Sequence, residues 1–447
     1  MYICQECYQK ISNFSDYCKP CNSVHFRNNF IHWTSGDSNL DKLIQNSQLN
    51  ATYEWELIEW IEYSNLENIE LIAHGGFGSV YKVIWKDGPI KDEQAWDFNK
   101  SEWRRENKKE VAVKKFQNAI NVSSDFLNEV NFNLKMNDAA DCIETVQIYG
   151  VTCDPQNGEY AIVTEFKNGG DLRKIIKKKY SNLTWKIIIE ILRRISSGLV
   201  CVHDSKYYHK DLHSGNILST IYFDNTISDS VISDFGLCRP MDQSSTDKTL
   251  YGVLPLVAPE VLLGKEFTEA ADIYGFGMIM SELISGEPPF VDREFDDNLF
   301  LAICYGQRPQ IPEYTSEPYA ELMKRCWDPI PTNRPTAREL SNQFKNLFET
   351  FYSLKSELSE DRQLEIKEAF SQEREDKWKA RLAEFATNLI PLKKSQNLLT
   401  SKRLDYSQSL SQKLSIEDWN KLKLTTNIKT NQQLKFISKQ RTFLKFV

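Results

Sequence analysis

The sequence predicts an α+β fold, a β-rich block followed by a helix-rich one, with a small cysteine segment ahead of both. Three observations predict it. Residues 70–72, 79–85 and 110–116 read as strands, the last with the period-two alternation of a half-buried sheet. The apolar pattern of residues 185–203 reads as a helix and opens a helix-rich region. Cys4-x-x-Cys7 and Cys18-x-x-Cys21 gather four of the ten cysteines into the first 21 residues.

At 447 residues the chain has room for two or three domains, or for one large domain with flanks. An apolar share of 41% with 12% aromatics suits a soluble globular protein with a sizeable core. The net charge of −7 argues against nucleic acid as the main partner. That charge is uneven. From Ser371 onward 16 Lys and Arg meet 7 Asp and Glu, a balance of +9 that leaves −16 for the rest. No run approaches the roughly 20 apolar residues of a membrane span, and the start lacks the basic and apolar regions of a secretory signal. The expected compartment is the reducing cytoplasm, with the nucleus open, where cysteines serve as thiols or metal ligands rather than disulfides.

In residues 1–27, each cysteine pair can present two thiolates to one ion, and two pairs complete a tetrahedral sulfur site for zinc at Cys4, Cys7, Cys18 and Cys21. So short a segment cannot bury a core, so bound metal would have to hold it folded. Iron or free thiols are the alternatives, and His25 is a further candidate ligand whose plain reading is a surface residue. Residues 28–65 are polar with amphipathic patches at 40–44 and 55–61. They fit short helices packed on the next domain, or a partly ordered linker.

Chemistry concentrates in two stretches. In Tyr208-His209-Lys210-Asp211-Leu212-His213-Ser214-Gly215-Asn216, a loop between the helix and the strand-like Ile217-Leu218, an acid and an amide stand on one bend. In Val231-Ile232-Ser233-Asp234-Phe235-Gly236 a second carboxylate sits at a strand end, with a glycine that lets the chain turn sharply. A hydroxyl-orienting Asp and a metal-binding Asn and Asp are what phosphoryl transfer from Mg-ATP requires. Either stretch alone could be a solvated loop; both in this order argue against that. Upstream, Ala73-His74-Gly75-Gly76-Phe77-Gly78 joins two strands, and glycines there let backbone amides approach a triphosphate. Taken alone it is equally an ordinary tight turn. Residues 86–109, charged and carrying tryptophans, read as an exposed insertion. Lys114 then stands in the strand 110–116, and Phe126-Leu127-Asn128-Glu129-Val130 reads as a helical patch presenting Glu129.

These motifs, over residues 66–348, resemble the protein kinase family, whose fold is bilobal, with a small β-rich lobe and a large helical lobe. The resemblance implies that Lys114, in the V-A-x-K position, pairs with Glu129 and holds the ATP phosphates. It implies that Asp211 orients the substrate hydroxyl while Asn216 and Asp234 hold Mg²⁺. Ile72, Gly75, Gly78, Val80 and Ala112 would surround the nucleotide, Thr164 would be the gatekeeper, and the backbone of Glu165, Phe166 and Lys167 would take the adenine. Ala73 departs from the family's first glycine. Lys210 replaces the Arg that most active kinases carry there, keeping the charge but not the bidentate fork, which puts control by loop phosphorylation in doubt. The activation segment would run over 234–260 and end in Ala258-Pro259-Glu260, with Ser244, Ser245, Thr246, Thr249 and Tyr251 as hydroxyls whose plain reading is solvation. Asp272 would brace the catalytic loop, and Arg334 would pair with Glu260. The ending Cys326-x-x-x-x-x-x-x-Arg334-Pro335, with Trp327 and Pro331 inside it, is like the tyrosine-kinase-like branch. The loop Asp211-Leu212-His213-Ser214-Gly215-Asn216 and the segment 252–260, behind a cysteine knuckle, look like the kinase set expanded in arbuscular mycorrhizal fungi.

The expected activity is ATP-dependent phosphorylation of protein hydroxyls in signalling. Ser/Thr kinases usually carry a Lys two residues after the catalytic Asp and a Thr five residues before Ala-Pro-Glu; His213 and Val253 stand there. Tyrosine kinases usually carry an Ala/Arg-rich loop, also absent, and the reading leans to Ser/Thr. A pseudokinase scaffold is the alternative from another class, but it would typically lose Lys114, Asp211 or Asp234. A small-molecule phosphotransferase would lack the Ala-Pro-Glu and Arg334 motifs. Residues 349–447 read as a charged helix or helical pair and then, from 388, as a flexible basic tail. The tail or the cysteine segment could dock a partner protein.

Overall fold

The computed structural model describes residues 3–11, 17–75, 78–91, 95–116, 122–137, 142–178, 183–224, 226–241, 249–354, 358–387, 399 and 401–404. They fall into two compact units: Met1–Lys167 with Ser233–Cys238, and Asn168–Ile232 with Arg239–Val447.

The first unit begins with a cysteine knuckle and the helix α1 (Lys19–Asn29), then α2 (Ser38–Asn50). Its centre is a six-stranded sheet in the order β1-β7-β8-β6-β3-β2. The strands are β1 (Glu59–Trp60), β2 (Leu66–Gly75), β3 (Gly78–Trp85), β6 (Lys109–Phe116), β7 (Ile148–Asp154) and β8 (Glu159–Glu165), with the short pair β4 (Trp96–Asp97) and β5 (Glu102–Trp103) outside it. The helix α3 (Ser124–Asn137) lies between β6 and β7 in the chain. Period-two alternation sends successive side chains to opposite faces. Val111, Val113, Ala161 and Val163 join one buried cluster with Val83, Trp85 and Tyr149. Ile148, Val151 and Ile162 join a second, with Phe126 and Val130 of α3.

Residues 28–65 are a full part of this unit. Asp37 caps α2 by accepting the Asn39 and Leu40 N–H groups, and Leu40 and Ile44, one turn apart and fully buried, pack with Ile58 into the α3 cluster. Strand β1 extends the sheet by parallel pairing to β7.

The insertion 86–109 differs from the expected exposed loop. Ile90 and Ala95 are 6% and 2% exposed and share a cluster with Tyr17, Phe26, Ala51 and Leu57. Trp103 stacks on Phe26 with ring centroids 4.2 Å apart, and Arg105 donates to both Glu59 oxygens and to Gly88 O. The reason is amphipathic: the tryptophans that read as exposed cover the apolar side of the cysteine segment, which has too few residues to bury itself.

The second unit holds β9 (Gly170–Asp171), α4 (Leu172–Lys178), α5 (Trp185–Asp204), β10 (Tyr207–Tyr208), β11 (Ile217–Ile221), β12 (Ile227–Ile232), β13 (Arg239–Pro240) and β14 (Leu250–Gly252). The helices α6 (Pro259–Leu262), α7 (Glu269–Ser285), α8 (Asp297–Cys304), α9 (Glu317–Cys326), α10 (Ala337–Phe351), α11 (Glu360–Ala369) and α12 (Gln372–Thr387) follow, then the strand β15 (Lys402–Leu404). Helix α7 is buried along almost its whole length and forms the core. Thr184 caps α5 through the Ile187 N–H.

The charged helical pair is packed into this core. Trp378 of α12 is fully buried and stacks on Trp185 at 5.5 Å, and Phe370 meets the same ring edge-on. Glu375 accepts the Trp185 N–H at 2.9 Å. Trp378→Ala is therefore expected to cost about 3–5 kcal/mol of stability, read as a lower midpoint in urea unfolding; a change under about 1 kcal/mol would place the helix outside the cooperative unit.

Candidate active site

In the first unit, three of the expected residues converge. Alternation turns Val111 and Val113 into one cluster and therefore turns Lys114 to the opposite face of β6, where α3 presents Glu129. The Lys114 ammonium donates to Glu129 Oε1 at 2.7 Å and to Asp234 Oδ1 at 2.8 Å. Burial alone would push this ammonium's pKa down; the charges and hydrogen bonds of Asp234 and Glu129 outweigh it and raise the pKa, so the group stays charged. Asp234 has φ +61, a left-handed conformation unusual for a non-glycine residue. Phe235, 1% exposed, anchors it by packing on Phe132 of α3.

Two glycines have physical reasons the motif did not supply. A Cβ on Gly236 would lie 3.0 Å from Glu129 Oε2 and 3.6 Å from Lys114 Nζ, so a side chain would press on the ion pair. Gly78 has φ +151, and a Cβ there would meet Lys115 O at 2.0 Å, so the β3–β6 register itself demands glycine. Gly75 pairs with Gly78 at the end of the hairpin, Val80 with Lys114, and Ala112 with Thr164. Ile72 is 40% exposed on β2. The Glu165 N–H is given to Gln147 O, so among its backbone groups only the carbonyl can serve a ligand. Beyond Phe166, Lys167 turns its ammonium back onto Glu165 at 2.9 Å.

In the second unit, Asp211 and Asn216 stand together. Asn216 Nδ2 donates to Asp211 O at 2.9 Å and lies 3.3 Å from Asp211 Oδ2. With the amide nitrogen committed there, Oδ1 is the atom Asn216 can offer a cation. The loop is fixed from below by Asp272, 1% exposed in the first turn of α7, which accepts the His209 and Lys210 N–H groups at 2.9 Å each and meets His203 Nε2 at 3.0 Å. Lys210, at φ +69, is held in its strained conformation by that carboxylate. Its ammonium lies over the Phe267 ring at 5.8 Å. Ser214 donates to Glu282 of α7.

His213, read from sequence only as a missing lysine, belongs to this site. Its Nδ1 accepts the Gly215 N–H at 3.0 Å, which fixes the neutral ring with its proton on Nε2, 3.6 Å from Asp211 Oδ1. The end of the expected activation segment is tied down by Arg334, which forks onto Glu260 at 2.7 and 2.8 Å and also donates to Ala270 O and Asp328 O. Of the expected loop hydroxyls, Tyr251 is 37% exposed and Thr249 half-buried, while Ser244, Ser245 and Thr246 lie outside the described residues.

At the N-terminus, Cys4, Cys7, Cys18 and Cys21 bring all four sulfurs within 4.8 Å of one another. The Cys4–Cys21 and Cys7–Cys18 separations are 3.7 and 3.8 Å. Four sulfurs about 2.3 Å from a central zinc stand about 3.8 Å apart, so the cluster has the dimensions of a tetrahedral thiolate site. His25 is no part of it: its ring stacks on Trp96 at 4.0 Å and its Nε2 meets Glu6 at 3.0 Å, so it is packed rather than a free surface side chain.

The first unit holds a lysine between a helix carboxylate and a strand-end aspartate, and the second an Asp–Asn loop braced from a buried helix; these are the side-chain types that phosphoryl transfer uses. Residues 66–344 match the family described as protein tyrosine and serine/threonine kinase, and the chain belongs to that family. It is 29% identical over 343 residues to mitogen-activated protein kinase kinase kinase 10 of Xenopus laevis, covering 70% of this chain and 30% of the relative. It is 28% identical to dual specificity protein kinase splA of Dictyostelium discoideum, covering 67% and 12%. It is 27% identical to a probable serine/threonine-protein kinase of the same organism, covering 70% and 30%. The chain thus spans a third or less of the length of these relatives. Among the described residues, no helix is long and apolar enough to cross a membrane.

Proposed function

We propose that this chain is an ATP-dependent protein kinase that transfers the γ-phosphate to serine or threonine hydroxyls of proteins in signalling. The observation that carries the reading is the Lys114 ammonium held at 2.7 and 2.8 Å between Glu129 and Asp234, since a kinase is competent only with its lysine–glutamate pair and its metal-binding Asp both in place. Lys114 holds the α- and β-phosphates. Asp234 and Asn216 would hold Mg²⁺, which would neutralise charge on the phosphates. Asp211 receives the proton of the attacking hydroxyl. Backbone from Glu165 to Lys167 takes the adenine beside Thr164, with Ile72, Gly75, Gly78, Val80 and Ala112 around the nucleotide. A scaffold would typically have lost Lys114, Asp211 or Asp234, and all three stand in the sequence.

The test is incubation of the purified full chain with γ-labelled Mg-ATP and a mixed peptide library, followed by phosphoamino-acid analysis. Phosphoserine and phosphothreonine are expected; label confined to phosphotyrosine would refute the hydroxyl class.

Cys4, Cys7, Cys18 and Cys21 hold a structural zinc in this reading, which suits a reducing cytoplasm or nucleus. Metal analysis is expected to find about one zinc per chain, and Cys18→Ser to lose it with a lower melting temperature. A metal-free wild type that melts at the same temperature as the purified protein would refute a structural role. The finer placement is the tyrosine-kinase-like branch, in the set expanded in arbuscular mycorrhizal fungi, on the strength of the loop 211–216 and the segment 252–260. The cysteine module and the basic tail are candidate docking surfaces for partner proteins.

A further inference from the structure

Far along the chain, one short segment lies in the catalytic loop's own unit. Ser401 donates its hydroxyl proton to Asp211, with Oγ 2.8 Å from Oδ1 and 2.6 Å from Oδ2. His213 Nε2, the protonated nitrogen of that ring, lies 3.4 Å from the same oxygen. The seryl side chain is 8% exposed, so its contact with Asp211 is largely shielded from water.

The neighbouring residues fix it there. Leu399 O accepts from Arg173 Nη1 at 3.1 Å, and Arg173 Nε is itself held by Glu282 of α7, the residue that also takes the Ser214 hydroxyl. Downstream, β15 pairs antiparallel with β14 in the activation segment, with Lys402 opposite Gly252, Arg403 opposite Tyr251 and Leu404 opposite Leu250. Leu404 is 7% exposed, whereas Lys402 and Arg403 are exposed. Strand addition of this kind supplies backbone hydrogen bonds for affinity and side-chain pockets for specificity.

An Asp that accepts a proton from a serine hydroxyl, beside a strand-paired peptide, is the arrangement of a phosphoacceptor about to react. We infer that Ser401 is the chain's own phosphorylation site, presented intramolecularly by β15 on the activation segment. The inference rests on the kinase reading above. Ser401 Oγ attacks the γ-phosphorus of ATP and a new O–P bond forms. The bond from that phosphorus to the β–γ bridging oxygen breaks, its electron pair leaves with ADP, and the hydroxyl proton passes to Asp211. His213 acts as a positioning residue, its Nε2–H donating to Oγ where other Ser/Thr kinases use a lysine. The segment also defines the substrate class: a serine followed by two basic residues and then an aliphatic residue. Until phosphorylated, it occupies the place of any other substrate.

The test uses the full chain with γ-labelled Mg-ATP, an exogenous serine/threonine peptide alongside, and phosphopeptide mapping. Phosphate is expected on Ser401 with a first-order rate constant that does not change on dilution of the chain. Ser401→Ala loses that phosphopeptide, and Leu404→Asp, which puts a charge where an aliphatic side chain is buried, slows labelling of Ser401 about tenfold. A chain that phosphorylates the peptide but leaves Ser401 unlabelled overturns the inference and leaves the kinase reading standing. A rate constant rising in proportion to chain concentration overturns the intramolecular presentation. Absence of label from both peptide and chain overturns the kinase reading and the inference with it.

Discussion

Asp211→Asn is expected to lower kcat for peptide phosphorylation by a factor of about 10²–10⁴, the usual cost of removing a positioned general base. The substitution is isosteric, and Asn216 keeps its bond to the unchanged main-chain oxygen of residue 211. The loop should therefore keep its shape, and the melting temperature should move by no more than about a degree. KM for ATP should hold, because the nucleotide contacts are assigned to Lys114, Asp234 and Asn216. A loss confined to kcat reports an interaction made only as the hydroxyl reacts. A parallel rise in KM for ATP would mean that Asp211 acts in nucleotide binding instead.

Arg334→Ala is expected to be as costly to stability as Trp378→Ala. Both side chains of the Arg334–Glu260 pair are almost wholly excluded from water, at 0% and 3% exposure, and the fork satisfies both carboxylate oxygens. Removing the arginine leaves Glu260 as an uncompensated buried charge and also frees Ala270 O and Asp328 O, a cost of about 3–5 kcal/mol. Calorimetry should find a fall in Tm of roughly 10 °C. Glu260→Gln should cost less, because Gln keeps one acceptor for the fork. Since the pair ties α6, in which the expected activation segment ends, to the start of α7, peptide KM should rise while the nucleotide KM stays put. An Arg334→Ala protein as stable as wild type would mean that the pair is dispensable.

The catalytic loop and the 231–236 stretch were legible because phosphoryl transfer needs particular side chains at fixed spacing, whatever surrounds them. The strand alternation of 110–116 and the helical patch at 126–130 were likewise visible, but the pairing of Lys114 with Glu129 came from the resemblance to the kinase family and not from periodicity. Partners distant in sequence were not legible. The patches at 40–44 and 55–61 were visibly amphipathic, but periodicity reports that a face is apolar and not what covers it. Hence β1 could not be assigned to the sheet, nor α2 to the cluster around α3. Trp96 and Trp103 read as exposed because their neighbours are charged; their cover is the cysteine segment itself. Ser401 gave no signal at all. A three-residue strand in a polar tail has no period to detect, and its burial comes entirely from β14 and the loop around Asp211. His213 was visible only as a departure from a pattern, since a ring's tautomer is set by a neighbour's N–H that sequence does not place.

Kinase activity is tested most directly by single-turnover transfer from γ-labelled Mg-ATP to peptide by the wild-type full chain, with nucleotide binding followed in parallel by the rise in melting temperature. Mg-ATP is expected to raise the melting temperature, and label is then expected on serine or threonine, with transfer abolished by chelation of magnesium. A chain that is stabilised by Mg-ATP yet delivers no label to any hydroxyl, its own included, would contradict the kinase assignment.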